Sequence, residues 1–140
     1  MRFNRKSIQF LFSAAFAVAA FSASTAQAEV YACEFADAGR NNTIPKIVVV
    51  DVKSASEALV SDPILAYVQQ APKKASFVKN TSDLLRVRWT VDDMKFSGGG
   101  QRDMKFSLVH RKAKGKAHLN LLIVGADNTD RGTGRCKLQP

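Results

Sequence analysis

Three stretches in the second half of the chain alternate apolar and polar residues with a period of two. Leu85, Val87, Trp89 and Val91 alternate with Arg86, Arg88 and Thr90. Met104, Phe106 and Leu108 alternate with Lys105, Ser107 and Val109, and Leu119, Leu121 and Ile123 with His118, Asn120 and Leu122. Successive side chains of a strand point to opposite faces, so this pattern buries one face of a sheet and leaves the other in water. A helix, with its 3.6-residue turn, would scatter the same apolar residues around its circumference.

Shorter strands are expected elsewhere. Tyr31, Cys33 and Phe35 share one face of a first strand, and the β-branched run Lys46–Val52 reads as a second, well-buried one. Ala58–Ser61 and Lys74–Lys79 are a third and fourth, the latter followed by a turn at Asn80-Thr81-Ser82-Asp83. Gly134, Cys136 and Leu138 mark a last strand. Gly39 with Asn41 and Asn42, then Gly98-Gly99-Gly100, Lys114-Gly115 and Asp127-Asn128 supply the turn chemistry between them. The pattern predicts an all-β domain, a small antiparallel barrel or sandwich of about 7–8 short strands. One short helix is expected near Pro63, where Asp62 can cap and proline suits the first helical position. Ile64, Tyr67 and Val68 then share a face suited to plug one end of a barrel.

The N-terminal stretch has a different grammar. Arg2, Arg5 and Lys6 precede an uncharged apolar run from Ile8 to Phe21, and Ala26-Gln27-Ala28 places small residues where a signal peptidase reads. Residues 1–28 are therefore expected to be a cleavable signal peptide, with 29–140 a single β-domain of periplasmic or secreted location. The apolar run is shorter than the ~18–20 residues that span a bilayer, so no membrane-spanning segment is expected after cleavage. Three of the 21 basic residues and none of the 12 acidic ones precede Glu29, which leaves the domain at +6.

Both cysteines, Cys33 and Cys136, fall near the ends of this domain. An even count in an oxidising compartment predicts a disulfide between the terminal strands, and the C-x-x-C spacing of redox or metal pairs is absent.

No catalytic or metal-binding constellation emerges, and the domain is expected not to be an enzyme and to need no cofactor. His110 and His118 flank the Lys114-Gly115 turn, and a turn of even residue count sends them to opposite faces as solvated strand histidines. Asp92 and Asp93 are neighbours, a poor geometry for an acid–base pair on a strand. Asp127, Asn128 and Asp130 lack the spacing of a calcium loop and read as a polar turn. The pentapeptide Asp93–Ser97 recurs as Asp103–Ser107, which suggests two arms of a hairpin around the triple glycine.

The strongest surface feature is the run Arg111-Lys112-Ala113-Lys114-Gly115-Lys116, four like charges at a hairpin tip. Such a patch attracts anions. Nucleic acid is not the expected partner, because the aromatics alternate inward and leave no stacking surface. The leading expectation is a binding domain that recognises an anionic envelope component through Arg111, Lys112, Lys114 and Lys116. A carrier of a small apolar ligand within the barrel is an alternative.

Tyr31-Ala32-Cys33, Ser97-Gly98, Lys114-Gly115 before Ala117-His118-Leu119, and Cys136 together make the chain resemble the periplasmic and membrane-bound inhibitors of C-type lysozymes. That resemblance implies a small exported β-barrel whose Ser-Gly and Lys-Gly loops enter a lysozyme cleft, with Ser97 and Lys114 as contacting residues and a lysozyme-like protein as partner. Where the family pattern has a Tyr soon after Ser-Gly, Gly99-Gly100-Gln101-Arg102 follow here.

Overall fold

The alternating stretches become the long strands of one antiparallel sheet in the computed structural model, which describes residues 28–140. The expected signal peptide lies outside the described residues but for Ala28. In chain order the strands are β1 (Glu29–Glu34), β2 (Ile47–Val52), β3 (Ala58–Ser61), β4 (Lys73–Lys74), β5 (Phe77–Asn80), β6 (Leu84–Lys95), β7 (Gln101–Arg111), β8 (Lys116–Ile123) and β9 (Thr129–Leu138). One helix, α1 (Pro63–Tyr67), follows β3. The spatial order is β4-β3-β2-β1-β9-β8-β7-β6-β5.

The outermost strands of that order, β4 and β5, are two halves of one stretch of chain. Ala75 N–H donates to Ala58 O at the start of β3, and the next residue, Ser76, donates its N–H to Arg88 O on β6. The fourth strand expected from sequence is thus split in two, because its first half pairs with one edge of the sheet and its second half with the other. The sheet curls, and its two ends meet in this segment.

Cys33 and Cys136 face each other in the register of β1 and β9 and are joined by a disulfide across 103 residues of chain. This link between the terminal strands is the one expected. The chain-entropy picture gives so long a loop at most about 4–5 kcal/mol.

The inward face carries the core: Val48 and Val50 of β2, Leu85 and Val87 of β6, Leu108 of β7 and Leu119 of β8 are all fully buried. Trp89 and Phe106 stack at 5.1 Å between ring centroids near the middle. Helix α1 plugs one end, but with Leu65 rather than Tyr67. Leu65 is fully buried and Ile64 and Val68 pack partly against the core, while Tyr67 is 80% exposed. In a helix of five residues the face is set by where the cap anchors it. Asp62 Oδ1 accepts from Ile64 N (2.7 Å) and Leu65 N (2.9 Å), which holds residues 64, 65 and 68 toward the barrel.

His110 departs from expectation as well. The β7–β8 turn does contain an even number of residues, and the two histidines do fall on opposite faces. His110, however, is buried, with its ring edge-on to Tyr31 at 5.3 Å and Nδ1 3.3 Å from Lys116 O. Its position opposite Ala117 leaves space inside the barrel for a ring, and burial holds its pKa below the ordinary value, against the raising effect of the Lys116 carbonyl. His118 is the half-exposed one.

Asp92 and Asp93 sit in a bulge, two residues opposite the single Asp103 of β7. Asp92 pairs with Lys73, and Asp93, at φ 53°, donates its N–H to Asp103 Oδ1 (3.0 Å). The two copies of the pentapeptide therefore meet through their aspartates.

A cationic outer face as candidate functional site

Apart from the buried His110 and Asp130, the polar residues of the alternating strands point outward, and strand register arranges them in rows across β5–β9. Nearest the β7–β8 turn, Arg111, Lys116 and Arg135 are successive partners. Two residues along, Lys79, Arg86, Val109, His118 and Thr133 form the next row. The third row reads Phe77, Arg88, Ser107, Asn120, Arg131, and the fourth Thr90, Lys105, Leu122, Thr129. At about 3.3 Å per residue these rows extend over roughly 20 Å.

The third and fourth rows form an open groove of about 1040 Å³. Its shape follows from side-chain length. Ser107, Asn120, Thr90 and Thr129 are short and make the floor, whereas Arg88 stands on one flank and Arg131 with Arg40 on the other. Arg88 lies over the Phe77 ring at 5.0 Å, a cation–π contact that leans it away from the floor. Arg131 Nε donates to Asn120 Oδ1 (2.8 Å), which leans it across the floor and leaves its terminal nitrogens for other acceptors. Lys105 completes the set. None of Arg40, Arg88, Lys105 and Arg131 lies in an ion pair with an acid among the described residues.

The one acid at the groove, Asp130, is committed elsewhere. Its carboxylate accepts from Arg40 N (2.7 Å), Asn41 N (3.1 Å), Thr43 Oγ1 (2.6 Å) and Arg131 N (2.9 Å). Burial pushes its pKa up, but these four donors more than offset that and hold it below the usual carboxylate value. The loop carrying Arg40 is thereby pinned to β9. Gly39, at φ 81°, is what lets the backbone approach, since a Cβ there would overlap the Asp130 carboxylate.

The basic hairpin splits into two kinds of residue. Arg111, Lys114 and Lys116 are exposed, and Lys114 and Gly115 close a one-turn 3-10 helix, with Gly115 at φ 65°. Lys112 points the other way. Its ammonium is 3.4 Å from Glu29 Oε2 and 5.5 Å from the Tyr31 ring centroid, and only 17% of its side chain is exposed. Glu29 also accepts from Tyr31 Oη (3.2 Å) and Asn80 Nδ2 (3.0 Å). Burial raises the Glu29 pKa, and Asn80, Lys112 and Tyr31 together bring it below the ordinary value. Lys112 thus anchors the turn to the start of β1.

Ser97 lies exposed in the β6–β7 turn, where Gly99 N–H donates to Phe96 O (3.0 Å). This turn and the Lys114 turn sit at opposite ends of β7, eleven residues or roughly 35 Å apart along the strand. The groove lies between them. It was not visible as a motif, because its cations come from positions 40, 88, 105 and 131. The signal available in sequence was the polar half of each alternating strand, which becomes a row only once register is known.

Compared with protein-family models, with curated proteins and with solved structures, the chain matches none.

Proposed function

We propose that this protein is an exported, non-catalytic binding domain that recognises an anionic partner of the cell envelope or its surroundings through the outer face of β5–β9. The observation that carries this reading is the accumulation on one face of cations that make no ion pair among the described residues. Along the rows from Arg111, Lys116 and Arg135 down to Lys105, no cation is ion-paired with an acid of the described residues. A folded domain gains nothing from concentrating like charges on one face, since their mutual repulsion opposes the compact state. The disulfide supports an oxidising compartment. The apolar-carrier alternative draws no support from the interior, where Trp89, Phe106, Leu65 and the valines of β2 fill the space between the strands.

The test is binding to inorganic polyphosphate, a polyanion without shape information, across a salt titration. Affinity is expected to fall steeply as ionic strength passes about 0.15 M, where the screening length is about 8 Å. Triple reversal of Arg111, Lys114 and Lys116 to Glu is expected to weaken binding further while leaving the fold intact. Lys112 is left unchanged because its reversal would break the contact with Glu29. Absence of binding at low salt, or binding indifferent to both salt and reversal, would overturn the proposal.

A further inference from the structure

We infer that the groove between Arg88 and Arg131 is a site for a linear acidic oligosaccharide whose charges are carboxylates. This inference rests on the reading of the outer face as an anion-binding surface, and assigns its concave part a ligand of defined chemistry.

Three features of the groove select that chemistry. Its charges are mainly guanidinium groups, which bind carboxylates through paired, coplanar hydrogen bonds. Its floor is hydroxyl and amide: Ser107, Asn120, Thr90 and Thr129, groups that both donate and accept and so match the hydroxyls of a sugar. Among the lining residues is one exposed apolar side chain, Leu122 at 45%, on which the C–H face of a pyranose ring can rest.

Other anionic partners fit less well. A bilayer is flat and does not reach the floor of a concave site. Single-stranded nucleic acid needs exposed aromatic rings along the track to stack its bases, and the two aromatics that line the groove, Trp89 and Phe106, are each only 1% exposed and stacked on one another in the core. An acidic peptide gains much of its affinity by adding a strand to a free sheet edge. Here β6, β7, β8 and β9 each have a neighbour on both sides, so the floor offers no backbone to pair with.

The spacing sets a minimum length. Arg88 and Arg131 stand three strands apart, about 14 Å in the sheet. Arg88 leans outward over Phe77 and Arg131 leans in over Asn120, so one carboxylate cannot serve both. The occupant carries at least two carboxylates on successive sugar units, one for each flank. Lys105 and Arg40 extend the same track.

The experiment is calorimetric titration of the protein with a hexamer of galacturonate, with its fully methyl-esterified counterpart, and with polyphosphate. The galacturonate hexamer is expected to bind, and the ester to bind at least about tenfold more weakly, because esterification keeps the shape and removes the charge. Arg88→Gln and Arg131→Gln are each expected to lose about tenfold for galacturonate, with the circular dichroism spectrum unchanged, since both residues are exposed. Reversal of Lys114 and Lys116 is expected to change galacturonate binding less than about threefold. Polyphosphate binding with no galacturonate binding would overturn the oligosaccharide assignment and leave the anion-binding reading standing. Galacturonate binding that survives Arg88→Gln and Arg131→Gln would overturn the groove as its location. Failure of both polyanions would overturn both.

Discussion

Removing the Asp62 carboxylate is expected to destabilise the barrel through two separate losses. Oδ1 caps α1 by accepting from Ile64 N and Leu65 N, and Oδ2 accepts from the indole N–H of Trp89 at 3.1 Å. In Asp62→Ala the lost cap costs about 1 kcal/mol. The Trp89 N–H, in a residue only 1% exposed, is left without an acceptor, which costs about 1–3 kcal/mol more. One effect runs the other way. Burial outweighs the three hydrogen bonds and raises the Asp62 pKa, so the charged carboxylate is itself under some strain at neutral pH. The net expectation is a loss of about 2–3 kcal/mol, or roughly 10 °C in Tm for a domain of this size. Chemical unfolding followed by the fluorescence of Trp89, the only tryptophan, measures it directly. Asp62→Asn should fall between the two, since its oxygen can still cap while its amide cannot accept from the indole. A double-mutant cycle with Trp89→Phe, read by circular dichroism, should give a coupling of about 1 kcal/mol or more. A loss below about 0.5 kcal/mol in Asp62→Ala, or additivity in the cycle, would refute the argument that the helix plug and the central indole are fastened through one side chain.

Other expected outcomes are simpler. The His110 pKa is held below its ordinary 6.5, so the folded state binds fewer protons than the unfolded chain, and stability should fall as pH drops from about 6.5 through the lowered value; His110→Gln should flatten that part of a stability-against-pH curve. Asp130 is held below 3.8, so its contribution is present above that value and is lost as pH falls further; Asp130→Asn should release the 39–43 loop, seen as faster amide exchange at Arg40 and Asn41. Gly132→Ala should cost about 1–3 kcal/mol in urea unfolding, because the new Cβ would lie 2.6 Å from Ile44 Cγ2 and 2.9 Å from Asp37 O. Reducing the disulfide should lower the urea midpoint by an amount equivalent to at most about 4–5 kcal/mol.

The fold was legible where a local pattern had one physical solution. Leu85–Val91, Met104–Val109 and Leu119–Ile123 could bury their apolar residues only as strands, and they do. The disulfide followed from count and compartment. The face of α1 did not, because a single turn of helix carries too little periodicity to outweigh its cap, and Leu65 replaced Tyr67 in the barrel mouth. His110 was misread for a related reason: whether a strand histidine faces water depends on what stands opposite, and Ala117 is known to be its partner only from register. The basic hairpin was legible as charge, but not the division of its lysines, since Glu29 lies 83 residues from Lys112. The groove was the least accessible of all. Arg88 and Arg131 are 43 positions apart and become neighbours across a floor only after four strands are aligned.

The segment that carries β4 and β5 makes the barrel a ring with a clasp. Along most of the circumference neighbouring strands share long ladders, with ten partnered residues between β6 and β7, but β3 and β4 share only Leu59 with Lys74 and Val60 with Lys73. Local opening should begin at that short seam, well below the free energy of global unfolding. When it opens, β3 becomes a bare edge whose unpaired amides can accept a strand from a second molecule. A single backbone cut at Ala75-Ser76 would free both sides of the clasp at once. The same few residues that close the domain therefore set the route by which it would exchange strands or aggregate.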